Sequence, residues 1–148
     1  MVQKATIDDK HILAKMAVQM WDSHTVEELE TEFTKNLNSD NSAFFIKYEN
    51  NMPIGFAQCG LRMDYVEGTK SSPVGYLEGI FVKPEYQNKG YARELLSACE
   101  NWAKSKGCIE FASDCELDND KSLMFHMAMG FEEANRVICF RKSLTEDN

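Results

Sequence analysis

The sequence has no long apolar run, only three prolines and no cluster of glycines among its 148 residues. A membrane-spanning helix needs about 20 consecutive apolar residues, and the apolar runs here are only a handful of residues long. The first ten residues also lack the apolar core of a secretory signal. We therefore expect a cytoplasmic protein with no membrane partner, and the length fits a single domain, residues 1–148, around one core.

Cysteines are few, odd in number and widely spaced. None of them forms a CxxC pair, which argues against a zinc site, and we expect no metal. An odd, scattered set also does not fit a disulfide framework, so we expect reduced thiols that mostly fill the core. The five are Cys59, Cys99, Cys108, Cys115 and Cys139.

Positive charge is also scarce. The chain has 16 Lys and Arg against 24 Asp and Glu, a formal net charge of −8. Such a balance argues against nucleic acid and anionic membranes as partners, because both repel an acidic surface. It favours a cationic ligand instead.

What the chain does contain is an alternating pattern of helices and strands. The spacing of apolar residues predicts a helix that ends at Trp21, and the capping box Thr25–Glu28 predicts the start of a second helix. Period-two patterns and turn residues predict strands, whereas a helical stripe ending at Gly107 predicts a long helix. The remaining predicted elements are strands at 43–48, 54–61, 74–82, 109–113 and 137–141, and a short helix at 121–129. The pattern predicts an α/β or α+β fold with helices on both faces of one sheet.

The segment from Tyr86 to Ala92 carries the strongest chemical signal. It follows an apolar strand and opens a helix, so unpaired N–H groups and the positive end of the helix dipole favour a phosphate there. Gly90 allows the backbone to approach an anion closely. An ordinary strand–turn–helix connection explains the segment about equally well. Neither a P-loop nor a dinucleotide-binding glycine pattern is present.

Glu78 lies in the middle of the apolar strand that leads into this loop. A carboxylate on a buried strand is costly unless it is paired, and the amine of a cationic substrate would be a suitable partner. Two alternatives remain open: the side chain lies on a solvated sheet face, or it pairs with a structural Arg or Lys. The functional interpretation is the one that we favour.

Three segments carry a family resemblance: residues 77–84, the stretch Gln87–Ala92 and the Met129-Gly130-Phe131 run. In order and spacing they resemble the GNAT acetyltransferase superfamily. More narrowly, the chain is similar to aminoglycoside 6′-N-acetyltransferases. The stretches that carry this closer resemblance are Met20-Trp21 and residues 64–69, 72–80 and 110–114.

The resemblance implies a mixed, mostly antiparallel GNAT-like sheet, acetyl-CoA as co-substrate, an aminoglycoside as the cationic substrate, and a homodimer. It implies substrate contacts at Trp21, Tyr65, Glu78 and Asp114, with Glu78 as the catalytic carboxylate. For Trp21 core packing is nearly as good an explanation, and for Asn119 a helix N-cap is an equal one. The implied acetyl-CoA contacts are Ile80, Phe81, Val82, Gln87, Asn88, Lys89, Gly90, Tyr91, Ala92, Arg93 and Asn119.

Two positions depart from the family pattern. His126 stands where many members have a tyrosine that protonates the leaving thiolate, so it either donates a proton or, as we favour, only packs. Asn135 stands where close relatives have a substrate-binding glutamate. Other functions therefore stay open: an acetyltransferase for another amine, such as a polyamine or a peptide N-terminus, or a non-catalytic acyl-CoA-binding module.

Overall fold

The computed structural model describes residues 1–146, which divide into two compact units, residues 1–114 and the segment from Cys115 onwards. Within residues 1–146, no helix has the length and apolar character needed to span a membrane. The first unit holds the whole sheet and three of the α-helices.

The sheet has five strands in the order β1-β2-β3-β4-β5. Neighbouring strands are antiparallel, apart from the parallel pair of β4 and β5. The mixed, mostly antiparallel sheet expected from the resemblance is therefore confirmed. The strands are β1 (Val2–Lys4), β2 (Ser42–Glu49), β3 (Met52–Arg62), β4 (Val74–Val82) and β5 (Phe111–Ala112).

Helices cover both faces of the sheet. Helix α1 (Lys10–Ala17) and helix α2 (Val26–Leu37) pack on one face, where Leu13, Phe33 and Phe44 share a core. Helix α3 (Tyr91–Ser105) contacts β2, β3 and β4 from the other face. Burial on two sides explains why residues 43–47 are all buried, rather than alternating between buried and exposed.

Local sequence signals explain where several elements begin and end. The predicted capping box is present: the Glu28 N–H donates to Thr25 Oγ1 (3.1 Å), and the Thr25 N–H donates to Glu28 Oε1 (3.0 Å). Asn50 and Asn51 form the two-residue turn between β2 and β3, both with positive φ, as a type I′ hairpin requires.

The second unit contains helix α4 (Asp120–Ala128), close to the predicted helix at 121–129. The strand predicted at 137–141 is wrong, because these residues form no strand and pair with no sheet edge among the described residues. Val137, Ile138 and Phe140 are instead 69–91% exposed. An apolar segment forms a strand only where a neighbouring strand satisfies its N–H and C=O groups.

Two further differences lie in the first unit. The strand predicted at 109–113 shrinks to Phe111–Ala112, and Ile109 is left 84% exposed. Strand β1 was not predicted, because its three residues alternate too briefly to form a pattern.

Candidate active site

A β-bulge in strand β4 determines where the Glu78 side chain lies. Gln58 on β3 is opposite Gly79, whereas Cys59 is opposite Leu77, so Glu78 is an extra residue without a partner. A bulge of this kind places two successive side chains on the same face and redirects the chain. Because of the bulge, Glu78 does not follow the regular alternation of the strand, and it is exposed although the four residues before it are all buried.

The Glu78 carboxylate is paired with the Arg62 guanidinium. Arg62 Nη2 donates to both carboxylate oxygens, at 3.0 and 2.9 Å, and Arg62 Nε donates to Oε2 at 3.3 Å. The side chains of Arg62 and Glu78 are 45% and 32% exposed, so the pair is partly solvated. The alternative of an arginine partner is thus the arrangement observed in the free protein.

Asp114 is connected to this pair through Tyr76. The Tyr76 hydroxyl donates to Asp114 Oδ2, and the Arg62 guanidinium lies 3.8 Å above the centre of the Tyr76 ring. Burial of the ring, with the neighbouring Asp114 carboxylate, raises the pKa of the Tyr76 phenol well above its ordinary value. The phenol therefore stays protonated and keeps donating to Asp114.

Trp21 and Glu78 line the same cleft, which has a volume of about 250 Å³. The indole packs edge-on against Phe33 and Phe56, with ring centres 6.4 and 6.3 Å apart, so Trp21 serves both the core and the cleft wall. Gly79 allows the indole to lie close to strand β4, because a Cβ at this position would come within 2.6 Å of the indole. The other residues that line the cleft are His24, Leu29, Glu32 and Gln58.

Tyr65 lies in the loop between β3 and β4 and is 74% exposed. Its hydroxyl accepts a long hydrogen bond from the Gly68 N–H, at 3.4 Å. Glu110 fixes the end of this loop, since it accepts from the Lys70 N–H (2.9 Å) and from the Ser71 hydroxyl. These bonds lower the pKa of Glu110, the Ser71 hydroxyl contributing most.

The backbone before α3 has the conformation of an anion-binding loop. Asn88 and Gly90 have φ angles of +64° and +84°, and Gly90 is the residue before the first helical turn. A Cβ placed on Gly90 would have no atom within 4 Å, so the space in front of the turn is open. N–H groups in the first turn of an α-helix have no carbonyl four residues earlier in the same helix to bind, and together these features fit a phosphate group.

The neighbouring edge of β4 fits an extended ligand. Strand β5 pairs with Gly75 and Tyr76, while pairing of β4 with β3 continues to Val82. Among residues 1–146, no strand pairs with Ile80–Val82 on the β5 side. Backbone groups there are in place for a ligand that binds like an added strand.

Three predicted site residues lie in the second unit. Asn119 is the N-cap of α4 and accepts from the Ser122 N–H at 3.1 Å. His126 packs between Phe125 and Phe131, and its Nδ1–H donates to the Ser122 carbonyl oxygen at 2.7 Å. That bond fixes the tautomer, so Nε2 carries a proton only in the imidazolium form. Asn135 Oδ1 accepts from the Arg136 N–H at 2.8 Å.

Three features of the site carry no signal in the sequence: Arg62, the role of Tyr76 and the cleft residue Glu32. Arg62 lies at the end of β3, opposite Val74, so its meeting with Glu78 depends on the register of the two strands. The bulge changes that register by one residue, and no residue type in β4 marks its position. The placement of Glu32 depends on the packing of α2, which the helical period alone does not determine.

Known proteins resemble this chain in sequence. The model of the acetyltransferase (GNAT) family matches residues 11–131, and the chain belongs to that family. Among curated relatives, an aminoglycoside N(6′)-acetyltransferase type 1 of Salmonella typhimurium is 43% identical over 124 residues, which cover 84% of this chain and 86% of the relative. The enzyme of the same name from Stenotrophomonas maltophilia is 37% identical, covering 97% of this chain and 93% of the relative.

Solved structures show the same likeness. Aminoglycoside N-acetyltransferase AAC(6′)-Iy in complex with CoA superimposes with a TM-score of 0.93 at 37% identity, covering 96% of this chain and 93% of that one. A complex of AAC(6′)-Iy with a bisubstrate analogue, CoA-S-monomethyl-acetylneamine, gives a TM-score of 0.92 and covers 97% of each chain.

Proposed function

We propose that the chain is an aminoglycoside 6′-N-acetyltransferase that uses acetyl-CoA. The observation that carries this proposal is the Glu78 carboxylate, placed by a bulge at a cleft that an indole also lines, in a chain whose similar relatives act on aminoglycosides. The net charge of −8 supports a substrate that carries several ammonium groups. Residues 1–148 would act as a single acetyltransferase domain.

The loop at residues 87–93 and the free edge of Ile80–Val82 would hold acetyl-CoA through backbone groups, with Asn119 as a further contact. When bound, acetyl-CoA supplies an acetyl group whose C–S bond breaks as the amine nitrogen forms a C–N bond. Glu78 orients the 6′-amine and accepts the proton that the nitrogen must lose, directly or through water. A thiol with a pKa of about 8.5 leaves without a strong acid, so the reaction does not require a proton from His126, which packs against Phe125 and Phe131.

Trp21 and Tyr65 would contact sugar rings or ammonium groups, and Asp114 would bind a second amine of the antibiotic. Asn135, an amide, would supply a neutral hydrogen bond instead of a charged contact. The reaction belongs in the cytoplasm, where acetyl-CoA is made and where the five free cysteines stay reduced.

We also propose that the enzyme is a homodimer. Its support is the exposed apolar segment of the second unit, which includes Val137, Ile138, Phe140 and Leu144 at 69–92% exposure. Several exposed apolar side chains within one short segment favour a contact surface. Pairing with a second copy would give this segment the hydrogen-bonding neighbour that it needs as a strand.

Release of free thiol from acetyl-CoA, measured against aminoglycosides, spermidine and peptides, tests the proposal. We expect turnover of kanamycin and tobramycin, with one acetyl on the 6′-nitrogen by mass spectrometry. The matched control is an aminoglycoside with a 6′-hydroxyl, which should bind without turnover. Much higher kcat/KM for spermidine or a peptide would contradict the proposed substrate.

A further inference from the structure

The Arg62 guanidinium occupies a complete cation site. The Glu78 carboxylate lies on one side, with three hydrogen bonds of 2.9–3.3 Å, and the face of the Tyr76 ring lies on the other, at 3.8 Å. Carboxylates and aromatic faces are both groups that proteins use to bind ammonium ions. The Tyr76 ring is itself 7% exposed and held by Asp114, so this site is rigid.

We propose that Arg62 is a built-in competitor for the substrate, and that an ammonium group of the aminoglycoside binds Glu78 by displacing the guanidinium. This inference rests on the proposed function and adds the residue that the substrate must move. The Arg62 side chain is 45% exposed, so solvent is available to receive it when it leaves. Partly exposed ion pairs are weak, so the exchange is energetically accessible.

Acetylation would reverse the exchange. The 6′-nitrogen enters as an amine that takes up a proton readily and leaves as a neutral amide, which has no charge to hold at Glu78. Arg62 keeps its charge throughout, because a guanidinium does not deprotonate at any working pH. Arg62 therefore competes poorly with the substrate's several charges and better with the product, which favours product release.

A direct test follows the Arg62 Nε–H signal by NMR in the free enzyme, assigned by its absence from Arg62→Lys. Saturating tobramycin, added without acetyl-CoA, should shift or broaden this signal as the guanidinium leaves Glu78. An unchanged signal at saturation would overturn the proposal. Because this readout needs no turnover, it is independent of the acetylation assay.

Calorimetry of Arg62→Gln provides the second test. Without the competitor, tobramycin should bind about three- to tenfold more tightly, and the acetylated product should become a stronger inhibitor by at least that factor. The matched control is Lys106→Gln, which also removes a positive charge over an aromatic ring, Trp102, outside the cleft. Its affinity should stay within about twofold of the wild type.

Unchanged or weaker binding by Arg62→Gln would show that Arg62 only positions Glu78, and would overturn the inference. Equal tightening in Lys106→Gln would assign the effect to net charge and would overturn it too. If either result is obtained while the wild-type enzyme still acetylates aminoglycosides, only the inference about Arg62 fails and the proposed function stands. Failure of the wild type to acetylate any aminoglycoside would instead count against the proposed function.

Discussion

Glu78 illustrates how one residue can depend on an irregularity rather than on a pattern. Its carboxylate reaches the cleft because the register between β3 and β4 changes at this position. Without the bulge, alternation would assign Glu78 and Gly79 to opposite faces of the sheet. The sequence shows that a charge stands in an apolar strand, but the bulge is visible only in the paired strands.

The first prediction concerns the chemistry of this carboxylate. Glu78→Gln should lower kcat/KM for tobramycin by roughly 10- to 10³-fold, because an amide neither accepts the proton nor attracts the ammonium group. CoA affinity, measured by calorimetry, should not change. Glu100→Gln on α3, which is not among the residues that line the cleft, is the control and should retain full activity. An unimpaired Glu78→Gln enzyme would mean that another carboxylate handles the amine.

At the scale of elements, the start of α3 is held by a buried lysine. Lys47 on β2 is 5% exposed, donates to Glu94 Oε1 at 3.0 Å and lies 4.6 Å from the centre of the Tyr91 ring. These contacts join the first turn of the helix to the sheet. They also pair a carboxylate that would otherwise repel a phosphate at the same turn.

Two glycines at opposite ends of α3 allow a matched test of the anion-binding loop. Gly90 and Gly107 have φ angles of +84° and +90°, and a Cβ at either would have no atom within 4 Å. Changing either to valine should destabilise the protein by about 1–2 kcal/mol, since a β-branched residue is strained there. Only Gly90→Val should also weaken CoA binding in calorimetry, because it alone places a side chain in front of the first helical turn, where a phosphate would bind. If folded Gly90→Val and Gly107→Val bound CoA with equal affinity, the loop before α3 would not be the phosphate-binding site.

The cap of α2 predicts a dependence of stability on pH. Hydrogen bonding with Thr25, first through its backbone N–H, lowers the pKa of Glu28 below its ordinary 4.5. The stabilisation is therefore complete above that value and is lost as the pH falls through the lowered pKa of the folded state. In urea unfolding, the stability difference between wild type and Glu28→Gln should shrink from pH 7 to pH 3. Thr25→Ala should cost about 1 kcal/mol at pH 7. If the stability difference between wild type and Glu28→Gln did not vary with pH, the proposed contribution of the Glu28 carboxylate to the cap would be wrong.

At the scale of the whole molecule, the least predictable part is the last segment. Strands β2, β3 and β4 could be predicted because each has at least eight residues and turn residues at its ends. The segment at 137–141 has the same apolar, β-branched character, yet it forms no strand in a single copy. An apolar, β-branched composition indicates that a segment is able to form a strand. Whether it does so depends on a neighbouring strand, which the segment's own sequence does not reveal.

The homodimer is testable by light scattering. The wild type should have the mass of two chains, and the double variant Ile138→Glu, Phe140→Glu should have the mass of one, because charges oppose burial of this segment. Met52→Glu, a change at another exposed apolar residue, the first of β3, should remain dimeric. A wild-type protein with the mass of one chain would rule out the homodimer.

The two tryptophans differ in a way that makes binding visible optically. Trp21 lines the cleft and is only half-buried, while Trp102 on α3 is 8% exposed and faces the opposite side of the sheet. Indole emission depends on local polarity, so the emission of Trp21 should change when a sugar binds in the cleft. The emission of Trp102 should stay constant. A Trp102→Phe protein would thus carry a single tryptophan, at the candidate site. Excited selectively over the tyrosines, this tryptophan would follow aminoglycoside association within milliseconds in a stopped-flow instrument and without any label.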